Sequence, residues 1–350
     1  MLSFADLDHC IGHVPGSVVT ALSTVDVGRG SEDLYRDQLP GLLNQLADRA
    51  RVASITASSA IEGIVVDDSA RADRILAGRV TNLRTRSEQE LAGYRDAQDY
   101  LFHGAWRPLN PGLLLHLHKL LFAHTAAPGG QFKTEDNVVV DRAASGEVTV
   151  RFRPVRASDT PYFVAELIDR YAAERTARRH HPVLLVGLFV LDLLVVHPFE
   201  DGNGRVTRAL TNALLMDAGY SVSRYVSLEQ QIAVSADGYY QALLDSTHGW
   251  HDGAADPWPW LTYFVNILAN AYRMFAERAA SDRADGSKQD RVLDYVLHHA
   301  PRIFRVADIR TALPGISDPT IRVVLDRLRR EGVIASEGLG RAAAWRRLPS

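Results

Sequence analysis

The sequence predicts a mainly α-helical protein with at least two domains. Its 350 residues are too many for one small core. Apolar residues recur at helical spacing along most of the chain, and only one clear pair of β-branched runs interrupts them. The polar stretch 278–287 lacks apolar periodicity and is predicted to be a linker. We therefore divide the chain into a helical region 1–95, a core 96–277, the linker, and a C-terminal domain 288–350.

Composition narrows the class of protein. Hydrophobic residues make up 46% and charged residues 23%, as in soluble globular proteins. A net charge of -3 argues against a protein that coats a polyanion over its whole surface. With Cys10 as the only cysteine, no intramolecular disulfide can form. The start MLSFADLDHC does not resemble a secretory signal, and the apolar run 182–196 is too short for a membrane span. We expect a cytoplasmic protein without a membrane partner.

The secondary-structure prediction follows the chain in order. Periodicity predicts a helix from Leu39 to about Val65, and further helical segments lie between 80 and 125. Pro128, Gly129 and Gly130 break the last of these, and a β-hairpin is predicted over 136–153, with a loop longer than two residues. Helices are then predicted at 161–175, 182–196 and 205–219, and more helical segments continue to about Glu277.

Residues 197–208, HPFEDGNGRVTR, combine several features of a phosphate site. Gly202 and Gly204 flank Asn203, so the backbone there can adopt positive φ and approach a ligand closely. A helix begins next, and its free N–H groups favour an anion. Arg205 and Arg208, three residues apart, lie on nearly one face of its first turn. These features predict a cradle for phosphate groups.

The acid and the histidine of this segment suit chemistry at such a cradle. Asp201 stands where a magnesium ion that bridges phosphates could bind, since Mg²⁺ takes one or two carboxylates plus phosphate oxygens. The imidazole of His197 has an unperturbed pKa near 6.5 and suits a general base. Each feature alone has a structural explanation: a common turn, a helix-capping histidine and solvated arginines.

Together the features resemble the signature of the Fic family, His-x-Phe-x-(Asp/Glu)-Gly-Asn-Gly-Arg-x-x-Arg. Every specified position is present, as His197, Phe199, Asp201, Gly202, Asn203, Gly204, Arg205 and Arg208. The resemblance implies a Fic-type helical core in which the motif loop joins two central helices. It also implies transfer of AMP from ATP to a tyrosine, threonine or serine hydroxyl of a target protein or of the protein itself.

The resemblance assigns a role to each residue of the motif. His197 would deprotonate the attacking hydroxyl, and Asp201 would hold Mg²⁺. Asn203 and the backbone of Gly202 and Gly204 would bind the α-phosphate. Arg205 would stabilise the β-phosphate side and Arg208 the γ-phosphate. Val206 and Thr207, which lie between the arginines, complete the expected ATP-binding segment.

A second resemblance lies upstream, in Ser58-Ser59-Ala60-Ile61-Glu62-Gly63. Alone, this hexapeptide is an ordinary helix end. Beside a Fic motif it resembles the inhibitory helix of that family, (Ser/Thr)-x-x-x-Glu-(Gly/Asn), here placed at about 45–63, with Ser58, Glu62 and Gly63 at the specified positions. The resemblance implies that Glu62 pairs with Arg208 and prevents productive ATP geometry. The same glutamate could instead orient a water that removes AMP.

The hairpin and a tyrosine pair extend the resemblance. The hairpin is similar to the Fic flap, which docks the target chain by strand addition; an ordinary surface hairpin is the alternative. Phe132 and Thr134 match the family pattern, whereas Lys133 replaces an arginine. If the hairpin is a Fic flap, the resemblance implies that the nucleotide is lined by Asn137, Val138, Val139 and Val140. Tyr239 and Tyr240 are either packing residues or a lid over the adenine and ribose, and Thr247 stands near the place of a usual asparagine.

The last fifty residues contain ten arginines and five acids. Three short helices and a hairpin that turns at Gly338 to Gly340 resemble a winged helix-turn-helix, with Ser317 to Arg330 as the recognition helix. Its arginines are Arg322, Arg327, Arg329 and Arg330. DNA binding and a protein–protein or homodimer interface both remain open.

The leading functional prediction is an autoinhibited protein adenylyltransferase. The alternatives are a DNA-binding regulator whose Fic domain senses nucleotide, and transfer of a related phosphate-linked group.

Overall fold

The computed structural model describes residues 2–38, 40–103, 106–142, 148–285, 288–337 and 344–348. Within them the fold is mainly helical, as the sequence predicts. The helices are α1 (Leu7–Ile11), α2 (Gly16–Gln38), α3 (Pro40–Ile61), α4 (Ser69–Leu76), α5 (Arg86–His103), α6 (Pro111–Leu121), α7 (Thr160–Ala177), α8 (Pro182–Val196), α9 (Asn203–Asp217), α10 (Leu228–Val234), α11 (Ala236–Thr247), α12 (Trp258–Asp285), α13 (Lys288–Asp294), α14 (Val306–Ala312) and α15 (Asp318–Arg330). The strands are β1 (Val139–Arg142), β2 (Val148–Phe152), β3 (Ile303–Arg305), β4 (Ile334–Glu337) and β5 (Ala344–Arg347).

Residues Met1–Phe275 form one compact unit built around α8. This helix is apolar on all sides and almost wholly buried, as the sequence run 182–196 predicts. It packs against α7 on one side and α9 on another. Its one acid, Asp192, accepts hydrogen bonds from Ser3 N at 2.8 Å, Ser3 Oγ at 2.9 Å and Trp250 Nε1 at 2.8 Å. These bonds satisfy the buried carboxyl and fasten the N-terminal segment to the central helix.

Helix α3 packs on α10 and α5 and ends beside the motif loop. The predicted extension to Val65 is wrong, because Gly63 adopts φ +74° and terminates the helix. Gly63 N donates to Ala60 O and Ile64 N donates to Ser59 O, the two bonds of a Schellman cap. This cap ends α3 at Ile61 and thereby sets the position of Glu62, the next residue.

Strands β1 and β2 form the predicted antiparallel hairpin. Val139 lies opposite Phe152 and Val140 opposite Val150, so the register shifts by one residue between Val139 and Val140. The predicted Ala-Ser-Gly loop, 143–147, lies outside the described residues.

Residues Ala276–Ser350 form a second compact unit with its own apolar core. Its elements follow the order α13, β3, α14, α15, β4, β5, and its sheet has the order β3-β5-β4. The three-residue strand β3 was not predicted, because so short a segment shows no periodicity. The predicted linker is helical through Asp285, since α12 continues over good helix formers such as Glu277, Arg278 and Ala279. The predicted turn at 338–340 lies outside the described residues.

Among the described helices, none combines the length and apolarity that a membrane crossing requires.

Candidate active site

The motif loop connects α8 to α9 through two left-handed residues. His197 caps α8 with φ +50°, and Gly202 precedes α9 with φ +81°. The Asn203 side chain closes the loop between them: its Oδ1 accepts from Phe199 N at 2.9 Å and its Nδ2 donates to Phe199 O at 2.8 Å. The Asn203 amide is thus engaged within the loop, and its contact with the α-phosphate stays a prediction. The side chain shapes the loop, and the first N–H groups of α9 form the anion-binding end.

The buried side chain of His118 packs against the motif loop. Phe199 stacks on His118 with ring centroids 4.0 Å apart. His118 Nδ1 accepts from Gly130 N at 2.9 Å, so its Nε2 carries the proton and faces Asp201 O at 3.2 Å. Burial lowers the pKa of His118 to about 4, which keeps the ring neutral. His118 lies on α6, and this role was not predicted from the sequence.

The segment before the hairpin is fastened to the same loop. Lys133 N donates to Pro198 O at 2.9 Å, and Lys133 Nζ donates to Val196 O at 3.2 Å and to Asn137 Oδ1 at 3.0 Å. Asn137 Nδ2 in turn donates to Phe199 O at 3.1 Å. Burial lowers the pKa of Lys133 to about 8. Asn137 thus bonds the motif loop, and Val138 is exposed to solvent. That these residues line the nucleotide stays a prediction.

His197 is prepared to accept a proton. Its Nδ1 lies 3.2 Å from Leu194 O, and a carbonyl oxygen only accepts, so Nδ1 carries the hydrogen. Nε2 is then the unprotonated nitrogen of the neutral ring. Burial lowers the pKa of His197 to about 4, so the neutral form prevails at physiological pH.

The predicted pairing of Glu62 with Arg208 is present. Arg208 NH2 lies 2.7 Å from Glu62 Oε1. Two further bonds come from Ser58, whose Oγ accepts from Arg208 Nε at 2.8 Å and whose backbone O accepts from NH2 at 3.0 Å. The helix end of α3 thus surrounds the guanidinium. The Arg208 side chain is 6% exposed, whereas that of Glu62 is 34% exposed.

The Glu62 carboxylate also lies against the first turn of α9. A Cβ placed on Gly204 would stand 2.3 Å from Glu62 Oε1 and 2.8 Å from Arg208 NH1, so a side chain there would displace this ion pair. A negative group therefore sits at the helix end and beside the arginine that together suit a phosphate. Glu62 occupies the position of an anionic ligand.

Arg205 is not directed into the cavity. Its NH1 lies 2.6 Å from Glu90 Oε2 on α5, and the two side chains are 2% and 4% exposed. Its NH2 lies 3.6 Å from Asp201 Oδ1. Arg205 ties α9 to α5, and its contact with the β-phosphate stays a prediction. Sequence reasoning missed Glu90, because nothing local relates it to a partner 115 residues away.

The remaining motif residues divide between surface and core. The Asp201 side chain is 56% exposed and approaches Arg86 NH2 at 3.6 Å. Val206 and Thr207 are buried, and their place in the ATP-binding segment stays a prediction.

One cavity of about 450 Å³ joins these elements. It brings His197 together with Gly204 and Arg208 of the motif, and Glu62 lies at its edge. Its other walls are residues of the hairpin, of α8 and of α11: Val139, Val140, Arg151, Phe152, Leu194, Tyr239, Tyr240, Leu243, Leu244 and Thr247. Tyr239 and Tyr240 thus reach the cavity as predicted, and the Arg151 guanidinium lies 4.8 Å above the Tyr240 ring. Arg151 was not predicted, because it resembles any exposed strand residue.

Comparison with known proteins agrees with this geometry. The sequence profile of the Fic/DOC family matches residues 108–215, a span that contains α8, the motif loop and most of α9. Residues 108–215 are thus similar to the Fic/DOC family. Solved structures share the fold. A Fic family protein from Desulfovibrio desulfuricans G20 superposes with a TM-score of 0.64 at 20% identity, over 97% of this chain and 98% of that one. Fic-1 from C. elegans superposes with a TM-score of 0.55 at 19% identity, over 77% and 74% of the two chains.

Curated relatives are similar in the Fic domain. Protein adenylyltransferase Fic of Drosophila ananassae is 30% identical over 108 residues, and that of Culex quinquefasciatus is 31% identical over 111 residues. These matches cover 31% of this chain and 20% and 19% of the relatives. The match therefore spans about a fifth of the length of these relatives.

Proposed function

We propose that this protein transfers AMP from ATP to a tyrosine, threonine or serine hydroxyl of a target protein, and that Glu62 restrains the transfer. One observation carries the proposal: a single cavity contains a neutral histidine, a helix N-terminus and Arg208, with Glu62 bound to that arginine. The similarity of the Fic domain to named protein adenylyltransferases supports this reaction over other phosphate chemistry.

In the proposed reaction, the hydroxyl oxygen of the target attacks the α-phosphorus of ATP. The bond from that phosphorus to the oxygen shared with the β-phosphate breaks, and diphosphate leaves. His197 Nε2 takes the hydroxyl proton, because Nδ1 already carries one. The first N–H groups of α9 stabilise the charge that develops on the α-phosphate. Asn203 contributes by holding the loop in this shape.

Arg208 would bind the γ-phosphate once Glu62 has left. A guanidinium can make bidentate bonds with either a carboxylate or a phosphate, so the two compete for the same donors. Glu62 also lies against the helix end that the phosphates need. The position of Glu62 would therefore block both the arginine and the helix end that ATP needs, and so inhibit AMP transfer.

A magnesium ion fits the motif, and Asp201 would be its protein ligand. The carboxylate is more than half exposed, so an oxygen is available beside the phosphate position. The ion would neutralise charge on the phosphates. The adenine would lie between the hairpin and the Tyr239–Tyr240 pair, and the target chain would add to the hairpin edge.

The test compares ATP labelled on the α-phosphate with ATP labelled on the γ-phosphate. Purified Glu62→Gly protein is incubated with each, alone and with cell lysate. We expect protein-bound α-label and no γ-label. The label should disappear in Glu62→Gly with His197→Ala, but persist in Glu62→Gly with His103→Ala, which removes an exposed histidine far from the motif in sequence. Label that is independent of His197, or γ-label, would refute AMP transfer by this site.

A second candidate function belongs to the C-terminal unit. Its order of helices and strands is similar to that of a winged helix-turn-helix, which supports the proposal, and α15 buries Ile321 and Leu325 while Arg322 and Arg330 face solvent. We propose that this unit binds duplex DNA. Anisotropy of a labelled random duplex should show binding that weakens steeply with salt. Arg322→Ala with Arg330→Ala should weaken it, and Arg291→Ala on α13 should not. Salt-independent or absent binding would leave a protein interface as the function of this unit.

A further inference from the structure

We propose that Glu229 anchors the inhibitory helix through Ser54, and that this buried contact keeps Glu62 on Arg208. The inference rests on the proposed inhibition by Glu62 and identifies what holds the inhibitor in place. Glu229 and Ser54 touch neither the cavity nor the proposed phosphate position, so they are positioning residues.

The contact joins three helices at one carboxylate. Glu229 on α10 is 1% exposed. Its Oε2 accepts from Ser54 Oγ of α3 at 2.5 Å, and its Oε1 accepts from Asn212 Nδ2 of α9 at 2.6 Å. Ser227 Oγ lies 3.1 Å from Ser54 Oγ and 3.3 Å from Glu229 Oε2. Since α9 also carries Arg208, the carboxylate links the inhibitory helix to the helix that it inhibits.

Because of the spacing along α3, this contact fixes the rotation and the axial position of the helix. Ser54, Ser58 and Glu62 are four residues apart and follow one face of the helix, about 6 Å per step. Ser54 bonds Glu229, and Ser58 and Glu62 bond Arg208. A shift of one residue along α3 would turn all three away by about 100°. The anchor therefore fixes the rotation that Glu62 needs.

The chemistry of the anchor explains why it resists release. A buried carboxylate is costly when it loses a donor, and a hydrogen bond to such a group is stronger than one between neutral groups. If α3 moved away, Glu229 would lose the hydrogen bond from the Ser54 hydroxyl. The carboxylate is shielded from solvent by Asn212, Ser227 and Ser54, which are all buried. Release of Glu62 by sliding or rotating α3 therefore requires breaking this bond.

The same helix offers a matched control. Ser59 is 1% exposed, and its Oγ has no hydrogen-bond partner among the described residues. Ser59→Ala removes a buried hydroxyl from α3 without touching the anchor. A difference between Ser54→Ala and Ser59→Ala therefore measures the contact with Glu229 and not the general loss of a buried serine.

The experiment measures hydrogen exchange and α-label transfer in full-length protein. Exchange of the amides at 55–62 should quicken about tenfold in Ser54→Ala and stay unchanged in Ser59→Ala. α-Label transfer should rise about tenfold in Ser54→Ala, and by less than about twofold when the same change is made in Glu62→Gly. Glu229→Gln, which replaces the carboxylate by a neutral amide of the same shape, should act like Ser54→Ala.

Three results would overturn the anchor: unchanged exchange in Ser54→Ala, equal changes in Ser54→Ala and Ser59→Ala, or a tenfold rise that persists in the Glu62→Gly background. If no variant, including Glu62→Gly, transfers label, AMP transfer fails as the function. The exchange comparison then still decides whether Glu229 holds α3.

Discussion

The two arginines of the motif contrast sharply although they stand three residues apart on α9. Arg205 pairs with Glu90, and both side chains are buried. Arg208 pairs with Glu62, whose side chain is 34% exposed at the edge of the cavity. The Glu90 partner lies near the start of α5, whereas Glu62 is the residue after α3. The first pair is part of the fold, and the second can be exchanged for a ligand.

Both pairs join an arginine to a glutamate, so the type of pair does not distinguish them. The difference lies in the burial of the acid, which is complete for Glu90 and partial for Glu62. An acid that water can reach exchanges its arginine at small cost, whereas a fully buried pair cannot separate without leaving a charge in the core. In the proposed function, one arginine of the motif holds the loop and the other is left for phosphate. Four predictions test this contrast, from the largest expected effect to the smallest.

Glu90→Ala should lower the free energy of unfolding by about 3–5 kcal/mol, because it leaves Arg205 buried without its acid. Urea denaturation followed by tryptophan fluorescence measures the loss. Glu135→Ala, which removes an exposed acid, is the control. A loss below about 1 kcal/mol would show that Arg205 is not a structural residue.

Glu62→Gly should cost far less, about 1 kcal/mol, in the same denaturation assay. Arg208 keeps both bonds to Ser58, and water from the cavity can replace the lost carboxylate. A loss as large as that of Glu90→Ala would contradict the contrast between the two pairs.

Ser58→Ala should weaken the hold on Arg208 without removing Glu62. The change deletes the Oγ that accepts from Arg208 Nε, a bond to a charged group worth about 1 kcal/mol. We expect the rate of α-label transfer to rise about fivefold, and an unchanged rate would mean that Ser58 does not hold Arg208.

The pH profile of the Glu62→Gly enzyme should be flat on the acid side. The pKa of His197 is lowered to about 4, so the ring stays neutral until the pH falls through that value. We expect kcat/KM to fall by less than about twofold between pH 7 and pH 5. An unperturbed histidine would lose most of its neutral form over that range. An acid limb near 6.5 would argue against His197 as the base in its present environment.

The sequence predicted most of the helical fold and the central pairing of the site. The α8 helix was predicted with its observed ends, because its apolar run is bounded by Pro182 and His197. The contact of Glu62 with Arg208 joins residues 146 positions apart, and only the resemblance of two motifs could predict it.

What the sequence did not show are the directions of side chains that meet distant partners. Arg205 was placed with Arg208 by spacing alone, but Glu90 draws it into the core. Asn203 matched a phosphate-binding pattern, yet its amide satisfies the backbone of Phe199. The support from His118 and the anchor at Glu229 depend on tertiary packing and leave no local pattern.

The measurement that tests the central claim most directly is the ratio of initial α-label transfer rates for Glu62→Gly and the parent protein, at one saturating ATP concentration. Competition between Glu62 and ATP for Arg208 predicts a rate at least tenfold higher in Glu62→Gly. Equal rates would contradict the claim that Glu62 restrains the site.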